Sequence, residues 1–319
     1  MAENIQDALI HGIRKTINRF RERPLNYFTE SDIHSSLMKD IMEGNSHIFL
    51  YRDLKSNMEI SLIHNEYPTN FRYKKAKLLD GYRDIEKGAS KDREETWIKS
   101  EIGDRGNFDL SIISEKFVEQ QLKSPIITDA KLLKKNKLSD GEILSEAIKH
   151  IIDKDIKYPI ERCKANGDFS DDIFYAKALE TDLDFAIEVK FIHPFNARNK
   201  DMLYEVIKDN TKLNLAKAHT DGFTKTINLI FCSSEEKERR DKKDTVISKI
   251  KKYIETGSVN DYDNRLYTIP NGVINIFIES YLSGNTKNTT KPIVYLSGGG
   301  NSLGLYEDLM KALKITKTI

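Results

Sequence analysis

The chain has 319 residues, 32% of them charged, and its 51 lysines and arginines almost balance 50 aspartates and glutamates. This length permits one large domain or two modest ones, with a substantial core either way. The formal net charge of +1 excludes a global positive field, so nucleic acid could be held only by a local patch. Cys163 and Cys232 lie far apart in the sequence, which argues against a disulfide framework and a zinc site. The sequence shows no apolar run of bilayer length and no signal peptide, so we expect a cytoplasmic protein without membrane contact.

The N-terminal region is predicted to be helical. Apolar residues recur at helical spacing over residues 4–23, and Pro24 ends the pattern. Thr29 followed by Asp32 predicts a capping box that opens a second helix, which Gly44 ends. The pattern therefore indicates two helices before the first strand.

Residues 58–67 predict a strand that Pro68 ends. Glu66 lies near the end of this strand and is a candidate acid for a catalytic site. An exposed acid at the edge of a sheet explains Glu66 equally well. Residues 70–100 are highly charged and indicate an excursion on the surface, anchored by Trp97.

Two further apolar strands carry isolated charged residues. In segment 106–113, Asp109 faces away from its apolar neighbours. In segment 184–194, Glu188 and Lys190 share one face. The opposite face is predicted to enter the core and carries Phe185, Ile187, Val189 and Phe191. An unpaired acid on such a strand is costly to bury. A divalent ion shared by Asp109 and Glu188 would remove that cost, and a simple ion pair between Glu188 and Lys190 is the alternative.

A long interval, residues 115–183, separates these two strands, and we interpret it as an insertion. Its basic run is the best candidate for a contact with nucleic-acid phosphates, although such runs are usually solvated surface. The lysines of this run are Lys131, Lys134, Lys135 and Lys137. Asp172, near the end of the interval, precedes another apolar segment and is an alternative to Asp109 as the first metal-binding acid.

The remainder of the chain predicts alternating helices and strands. The strand, helix, strand succession over residues 184–232 indicates a parallel crossover. The predicted helices cover residues 201–218 and 235–254, and the predicted strands cover residues 226–232, 273–278 and 293–296. Gly298–Gly304 leads into a last helix and lacks the Gly-Lys-Ser/Thr of a phosphate-binding loop. A flexible turn is therefore favoured there over a nucleotide site.

His193 directly follows the strand that carries Glu188 and Lys190. A histidine in that position could shuttle a proton near neutral pH. At a period of two, however, it shares the core-facing side with Phe191, and Pro194 follows at once. A structural histidine is therefore the preferred interpretation.

The element order around these two strands resembles the PD-(D/E)XK nuclease superfamily, which has the restriction-endonuclease-like fold. Gly106-Asn107-Phe108-Asp109-Leu110 is similar to the family's Gly-x-x-Asp-hydrophobic strand. Ile187-Glu188-Val189-Lys190-Phe191 is similar to its (Asp/Glu)-x-Lys strand. The segment from Asp209 to Lys212 looks like the supporting helix, and the segment around Glu66 looks like an upstream acidic element of some members. The resemblance covers about residues 31–232.

The resemblance implies an α/β fold with an αβββαβ core, in which helices flank a mixed central sheet. It places a long insertion between the second and third core strands. It also implies a division into an N-terminal helix (residues 1–30), a nuclease-like core (31–232) and a C-terminal α/β extension (233–319) packed on that core.

The activity implied by the resemblance is endonuclease-like hydrolysis of phosphodiester bonds with Mg²⁺ or Mn²⁺. DNA is the expected substrate, in restriction, defence or repair. Asp109 and Glu188 would bind the ion together with the Val189 carbonyl. Lys190 would orient the attacking water or help to deprotonate it, and Glu66 would be a further acid of the site. Since such a site has one catalytic centre per chain, we predict a homodimer or dimerisation on DNA.

Two other functions are compatible with the same sequence. A catalytically inactive nucleic-acid-binding or scaffold protein could share the fold. A nucleotide-binding protein could use the Gly298–Gly304 loop.

The spacing of the two acids departs from the family: Asp109 and Glu188 lie 79 positions apart (188 − 109), which is longer than the family's usual gap. The departure requires the 115–183 insertion, or else Asp172 is the first acid.

Overall fold

The structure is a computed structural model that describes residues 4–53, 58–69, 107–123, 183–193, 201–220, 222–234, 246–281, 291–298 and 300–315. Its helices are α1 (Ile5–Glu22), α2 (Glu30–Met42), α3 (Glu115–Lys123), α4 (Asp201–His219), α5 (Val246–Thr256) and α6 (Leu303–Ala312). Its strands are β1 (Leu50–Asp53), β2 (Met58–Ser61), β3 (Ile63–Pro68), β4 (Asn107–Ile113), β5 (Leu183–Ile192), β6 (Lys225–Ser234), β7 (Ser258–Asn260), β8 (Leu266–Thr268), β9 (Val273–Tyr281) and β10 (Ile293–Leu296).

The described residues contain a six-stranded sheet in the order β10-β9-β6-β5-β4-β3. Strand β4 runs antiparallel to both β3 and β5, whereas β5, β6 and β9 are parallel to one another. Strand β10 closes the opposite edge in the antiparallel direction. The predicted α/β class with a mixed central sheet flanked by helices is therefore confirmed. Strands β9 and β10, which lie in the predicted C-terminal extension, are part of this same sheet.

The two faces of β5 contribute to different parts of the interior, as its alternating sequence predicts. Its core-facing residues, Phe185, Ile187, Val189 and Phe191, pack in the apolar cluster that also contains residues of α1 and α2. Ile192, on the other face, packs in a second cluster with residues of α4 and α5. Phe20 of α1 lies edge-on to Phe191, at a centroid distance of 6.1 Å, and to Phe231, at 5.1 Å. The predicted orientation of β5 is confirmed.

The first two helices begin and pack as their sequences require. Asn4 caps α1, and the predicted capping box of α2 is present, because Thr29 and Asp32 exchange side-chain and backbone hydrogen bonds. The helices cross closely at Gly12, where a Cβ atom would lie 2.4 Å from Cγ1 of Ile41. This contact packs the last turn of α2 against the middle of α1.

One predicted strand is divided in the structure. Residues 58–67 do not form a single strand, because β2 ends at Ser61 and β3 begins at Ile63. The break lies at buried Leu62, whose N–H donates to the Phe49 carbonyl and whose own carbonyl accepts from the N–H of Ile113. The chain changes partner at this point, since β2 pairs with β1 and β3 pairs with β4.

Several sequence predictions fall outside the described residues. They include Trp97, the four lysines of the basic run (Lys131, Lys134, Lys135 and Lys137), Asp172 and the first half of the 235–254 helix. Among the residues that are described, no helix combines the length and the apolar character needed to cross a membrane.

Candidate functional site

The candidate site lies where β4 and β5 separate. Their regular pairing extends as far as Leu110 opposite Ile187. Beyond that pair, the N–H of Val189 donates to Oδ2 of Asp109 at 2.6 Å, and the N–H of Phe191 donates to Oε2 of Glu30 at 3.2 Å. Both N–H groups lie on the same side of β5, because the two residues are two positions apart. Two carboxylates thus take the place of strand-to-strand hydrogen bonds. We call this place the notch and define it by Glu30, His34, Asp109, Glu188, Lys190, Asp209 and Lys212.

Lys190 is held by acids from two helices. Its Nζ lies 3.4 Å from Glu30 on α2 and 3.6 Å from Asp209 on α4. Burial alone would lower the pKa of Lys190, but the carboxylates of Asp209 and Glu30 raise that pKa above its usual value. The side chain is therefore a charged ammonium group. The alternative of a simple ion pair with Glu188 finds no support among the described ion pairs.

Glu188 is fully enclosed and is paired on one side. Its Oε2 lies 2.6 Å from Nζ of Lys212 on α4, and that ammonium also donates to the Asn107 carbonyl at 3.0 Å. The other oxygen, Oε1, is buried and has no hydrogen-bond partner among the described residues. Burial raises the pKa of Glu188 well above its usual value; Lys212 opposes the rise, and Asp109 and Asp209 add to it. The net effect favours the protonated, neutral form of Glu188.

His34 faces the same acids from α2. Its Nε2 lies 3.4 Å from Oδ2 of Asp109. Burial alone would lower the pKa of His34, but contact with Asp109 raises it overall, and the same contact holds the pKa of Asp109 below its usual value despite burial. One candidate ligand atom from each of Glu30, His34 and Asp109 lies within 4.8 Å of the others. These three residues form a group that could hold a metal ion.

The charges in the notch do not balance. Four carboxylates, from Glu30, Asp109, Glu188 and Asp209, meet two ammonium groups, from Lys190 and Lys212. With every acid ionised and His34 neutral, the sum would be 2 − 4 = −2. Burial raises the pKa of Glu188 and of Asp209, and contact with Asp109 raises the pKa of His34 despite burial, so bound protons offset part of this charge. Buried charge is costly unless it is compensated, and a divalent cation is the alternative to those protons.

Comparisons with known proteins add no relative to this picture. No family model, no curated protein and no solved structure matches the chain. The family resemblance of the two strand motifs therefore stays a prediction. The function has to follow from the geometry and charge of the notch.

The structure brings the predicted Asp109, Glu188 and Lys190 into one site. Glu66 is exposed on β3, at a backbone φ of +52°, and accepts a hydrogen bond from Nδ2 of Asn107 at 3.2 Å. Its charge contributes to the raised pKa of His34, so it lies at the rim of the notch. The alternative acid Asp172 and the four lysines of the basic run lie outside the described residues.

Two residues of the notch were missed in the sequence. Glu30 and His34 are one turn apart on α2, on either side of the buried Ile33. A Glu and a His at i and i+4 share one helix face, and that spacing was the available signal. The sequence places Asp209 and Lys212 only in a supporting helix, because nothing in it shows which strand residues they meet.

A buried polar row fixes helix α4 beside the notch. Glu188, Asn228 and Asn275 are direct neighbours across β5, β6 and β9. Nδ2 of Asn228 donates to Oδ1 of Asn210 on α4 at 3.2 Å. Asn210 adjoins Asp209 and precedes Lys212 by two positions. The pair of asparagines therefore sets the rotation of α4, which decides where those two charged side chains point.

The remaining candidates lie away from the notch or at its margin. His193 is half-buried and lies edge-on to Phe191 at a centroid distance of 5.9 Å, on the side predicted for a structural histidine. Gly298 and Gly300 have φ of +68° and +67°, and the loop is tied down by hydrogen bonds from Asn301 to the Gly222 carbonyl and from Ser302 to the Gly272 carbonyl. These contacts are typical of a structural turn, and a role in nucleotide binding stays untested.

Proposed function

We propose that the protein is a metal-dependent nuclease that hydrolyses phosphodiester bonds of nucleic acid, with DNA as the expected substrate. The observation that carries the proposal is the excess of acids over lysines in the notch, where four carboxyl groups surround two ammonium groups. Oε1 of Glu188 is buried there and has no hydrogen-bond partner among the described residues.

The residues of the notch suit a hard divalent cation such as Mg²⁺ or Mn²⁺, which prefers oxygen ligands. Asp109 and Glu188 would supply carboxylate oxygens. The Val189 N–H points to Asp109, and in an extended strand the carbonyl of the same residue points to the same side. Val189 therefore fits its predicted role as a backbone ligand. Glu30 and His34 extend this donor set around Asp109.

Lys190 would act through its charge. When bound, the ion would lower the pKa of a water molecule and polarise the phosphate. The Lys190 ammonium, held by Glu30 and Asp209, would orient that water and stabilise negative charge that develops on the phosphate. Because its pKa is raised, a role as general base is disfavoured.

The strand order supports the same proposal. Antiparallel β3, β4 and β5 are followed by α4 and then by β6, which is parallel to β5. Helix α2 precedes them in the chain. These elements are compatible with the αβββαβ order that the family resemblance implies, with β1 and β2 as additions between α2 and β3. Residues 115–183, which begin with α3, would be the insertion between the second and third core strands.

The test is cleavage of plasmid DNA, single-stranded DNA and RNA with Mg²⁺ or Mn²⁺, with and without EDTA. We expect metal-dependent cleavage that Lys190→Met lowers by several orders of magnitude while the protein still folds. Lys208→Met is the matched control, because Lys208 lies on α4 and pairs with Glu205. A folded Lys190→Met protein that cuts at the wild-type rate would contradict the mechanism.

A catalytically inactive nucleic-acid-binding protein is the second candidate. It is favoured by the protein partners that Glu188 and Asp109 already have, Lys212 and His34. Such a protein would bind nucleic acid without any dependence on Mn²⁺. Mn²⁺ binding that requires Asp109 and Glu188 would exclude it.

A further inference from the structure

Lys212 occupies an unusual position for a lysine beside a candidate metal ligand. It reaches from α4 to Oε2 of Glu188, and its side chain is 12% exposed. The same ammonium donates to the Asn107 carbonyl, at the start of β4. The ammonium thus lies between β4 and β5, the strands that carry Asp109 and Glu188.

This position conflicts with metal binding at Glu188. A divalent ion bound by Glu188 would lie close to the Lys212 ammonium, and like charges at such distances repel strongly in a buried site. A buried ammonium that loses its carboxylate is itself costly unless another anion replaces it. The anion that enters a nuclease site together with the metal is the phosphodiester.

We propose that Lys212 exchanges partners during metal loading: it neutralises Glu188 in the metal-free protein, yields Glu188 to the ion, and then binds the phosphate of the nucleic acid. This inference rests on the proposed function and adds a phosphate-binding residue to it. The exchange falls to Lys212 because, among the described ion pairs, Glu188 is paired with Lys212, whereas Lys190 is paired with Glu30 and Asp209.

The exchange has two measurable consequences of opposite sign. Lys212 should weaken the binding of metal alone, because the ion has to displace it. Lys212 should strengthen the binding of nucleic acid when metal is present, because only then is the ammonium released. Metal and nucleic acid are therefore coupled through this side chain, and such coupling acts equally in both directions.

The first arm measures Mn²⁺ affinity by calorimetry without nucleic acid. We expect Lys212→Met to bind Mn²⁺ about five- to tenfold more tightly than the wild type, at the lower end of typical coupling between sites. Lys208→Met, on the same helix, should bind like the wild type. Lys212→Gln keeps a hydrogen-bonding side chain and provides the same comparison if the Met variant does not fold.

The second arm measures binding of a labelled DNA duplex by fluorescence anisotropy in a Lys190→Met background, which suppresses cleavage. We expect Mn²⁺ to strengthen binding in this background, and we expect most of that gain to disappear when Lys212→Met is added. An equal gain with and without Lys212 would overturn the proposal, because it would mean that the lysine stays on Glu188.

The two proposals fail in different ways. If the wild type binds no Mn²⁺, or if Glu188→Gln leaves Mn²⁺ binding unchanged, the proposed metal site is wrong and the exchange fails with it. If Mn²⁺ binding depends on Glu188 but Lys212→Met binds it no more tightly than the wild type, only the exchange is wrong.

Discussion

Among the residues that the structure describes, two of the clusters of charged side chains that join secondary-structure elements differ in charge balance. Between α1 and α2, Lys15 and Arg19 meet Asp40 and Glu43, so that two cations face two acids. Asp40 is fully buried there, 2.8 Å from Nη1 of Arg19, and it accepts a hydrogen bond from Thr16. In the notch, two cations face four acids.

The difference separates a structural cluster from a candidate binding site. Buried ionised groups are tolerated when neighbouring charges compensate them, and the helix–helix cluster meets that condition by itself. The notch has two more acids than ammonium groups, so it meets that condition only with further positive charge, from bound protons or from a cation. The presence of a buried, ion-paired acid does not make this distinction, because Asp40 in one cluster and Glu188 in the other both have that property.

The largest expected effect comes from removing one carboxylate of each cluster. Asp109→Asn should lower cleavage by several orders of magnitude, because it removes a ligand of the ion that carries the reaction. Asp40→Asn should leave cleavage near the wild-type rate and instead lower stability by about 1–3 kcal/mol, the usual cost of a lost buried partner. Plasmid cleavage and thermal unfolding measure the two outcomes.

A reversal of that pattern would contradict the assignment of the clusters. If Asp40→Asn abolished cleavage while Asp109→Asn cut normally, the notch would be the structural cluster. If only Asp172→Asn abolished cleavage, the fold would stand and Asp109 would be wrong as the first acid.

A smaller effect is expected at His34. His34→Gln should weaken Mn²⁺ binding by about 10- to 100-fold, the range seen when a residue that supports a metal ligand is replaced. The control is His47→Gln, since His47 is exposed on the short turn before β1. Calorimetry with Mn²⁺ checks both variants, and equal affinity of His34→Gln and wild type would remove His34 from the site.

The smallest expected effect is on the pH dependence of stability in EDTA. The folded pKa of Glu188 is raised above its ordinary 4.5, first by burial. At pH values between the ordinary pKa and the raised pKa of Glu188, the folded state holds more protons than the unfolded state. The contribution of Glu188 to the free energy of unfolding therefore falls as the pH rises. Glu188→Gln should therefore raise the melting temperature at pH 7 to 8 by a few degrees, about 1 kcal/mol in a chain of this size.

Below pH 4.5 the same substitution should have almost no effect, because Glu188 is then protonated in both states. Thermal unfolding of the wild type and of Glu188→Gln at a series of pH values gives the comparison. A melting-temperature difference that is independent of pH would show that Glu188 is not held at a raised pKa.

The sequence was informative where periodicity decides the structure. Alternation along β5 correctly separates Phe185 and Ile187 from Glu188 and Lys190, because a strand places successive side chains on opposite faces. The capping box likewise marks the start of α2. Local patterns of this kind are set by neighbouring residues alone.

Contacts between distant segments could not be predicted in the same way. Nothing in the sequence around Glu30 indicates that its carboxylate accepts from the N–H of Phe191, 161 positions away. The pairing of Lys212 with Glu188 depends on the rotation of α4, which the buried Asn210–Asn228 contact sets. The break at Leu62 depends on a change of strand partner that local alternation does not report.

Calorimetric titration of the wild type with Mn²⁺ measures whether the notch binds one divalent cation. We expect one ion to bind in the notch, with an affinity that Asp109→Asn and Glu188→Gln each weaken strongly and that Asp40→Asn leaves unchanged. Absence of Mn²⁺ binding, or binding with equal affinity in all three variants, would show that the notch is not a metal site.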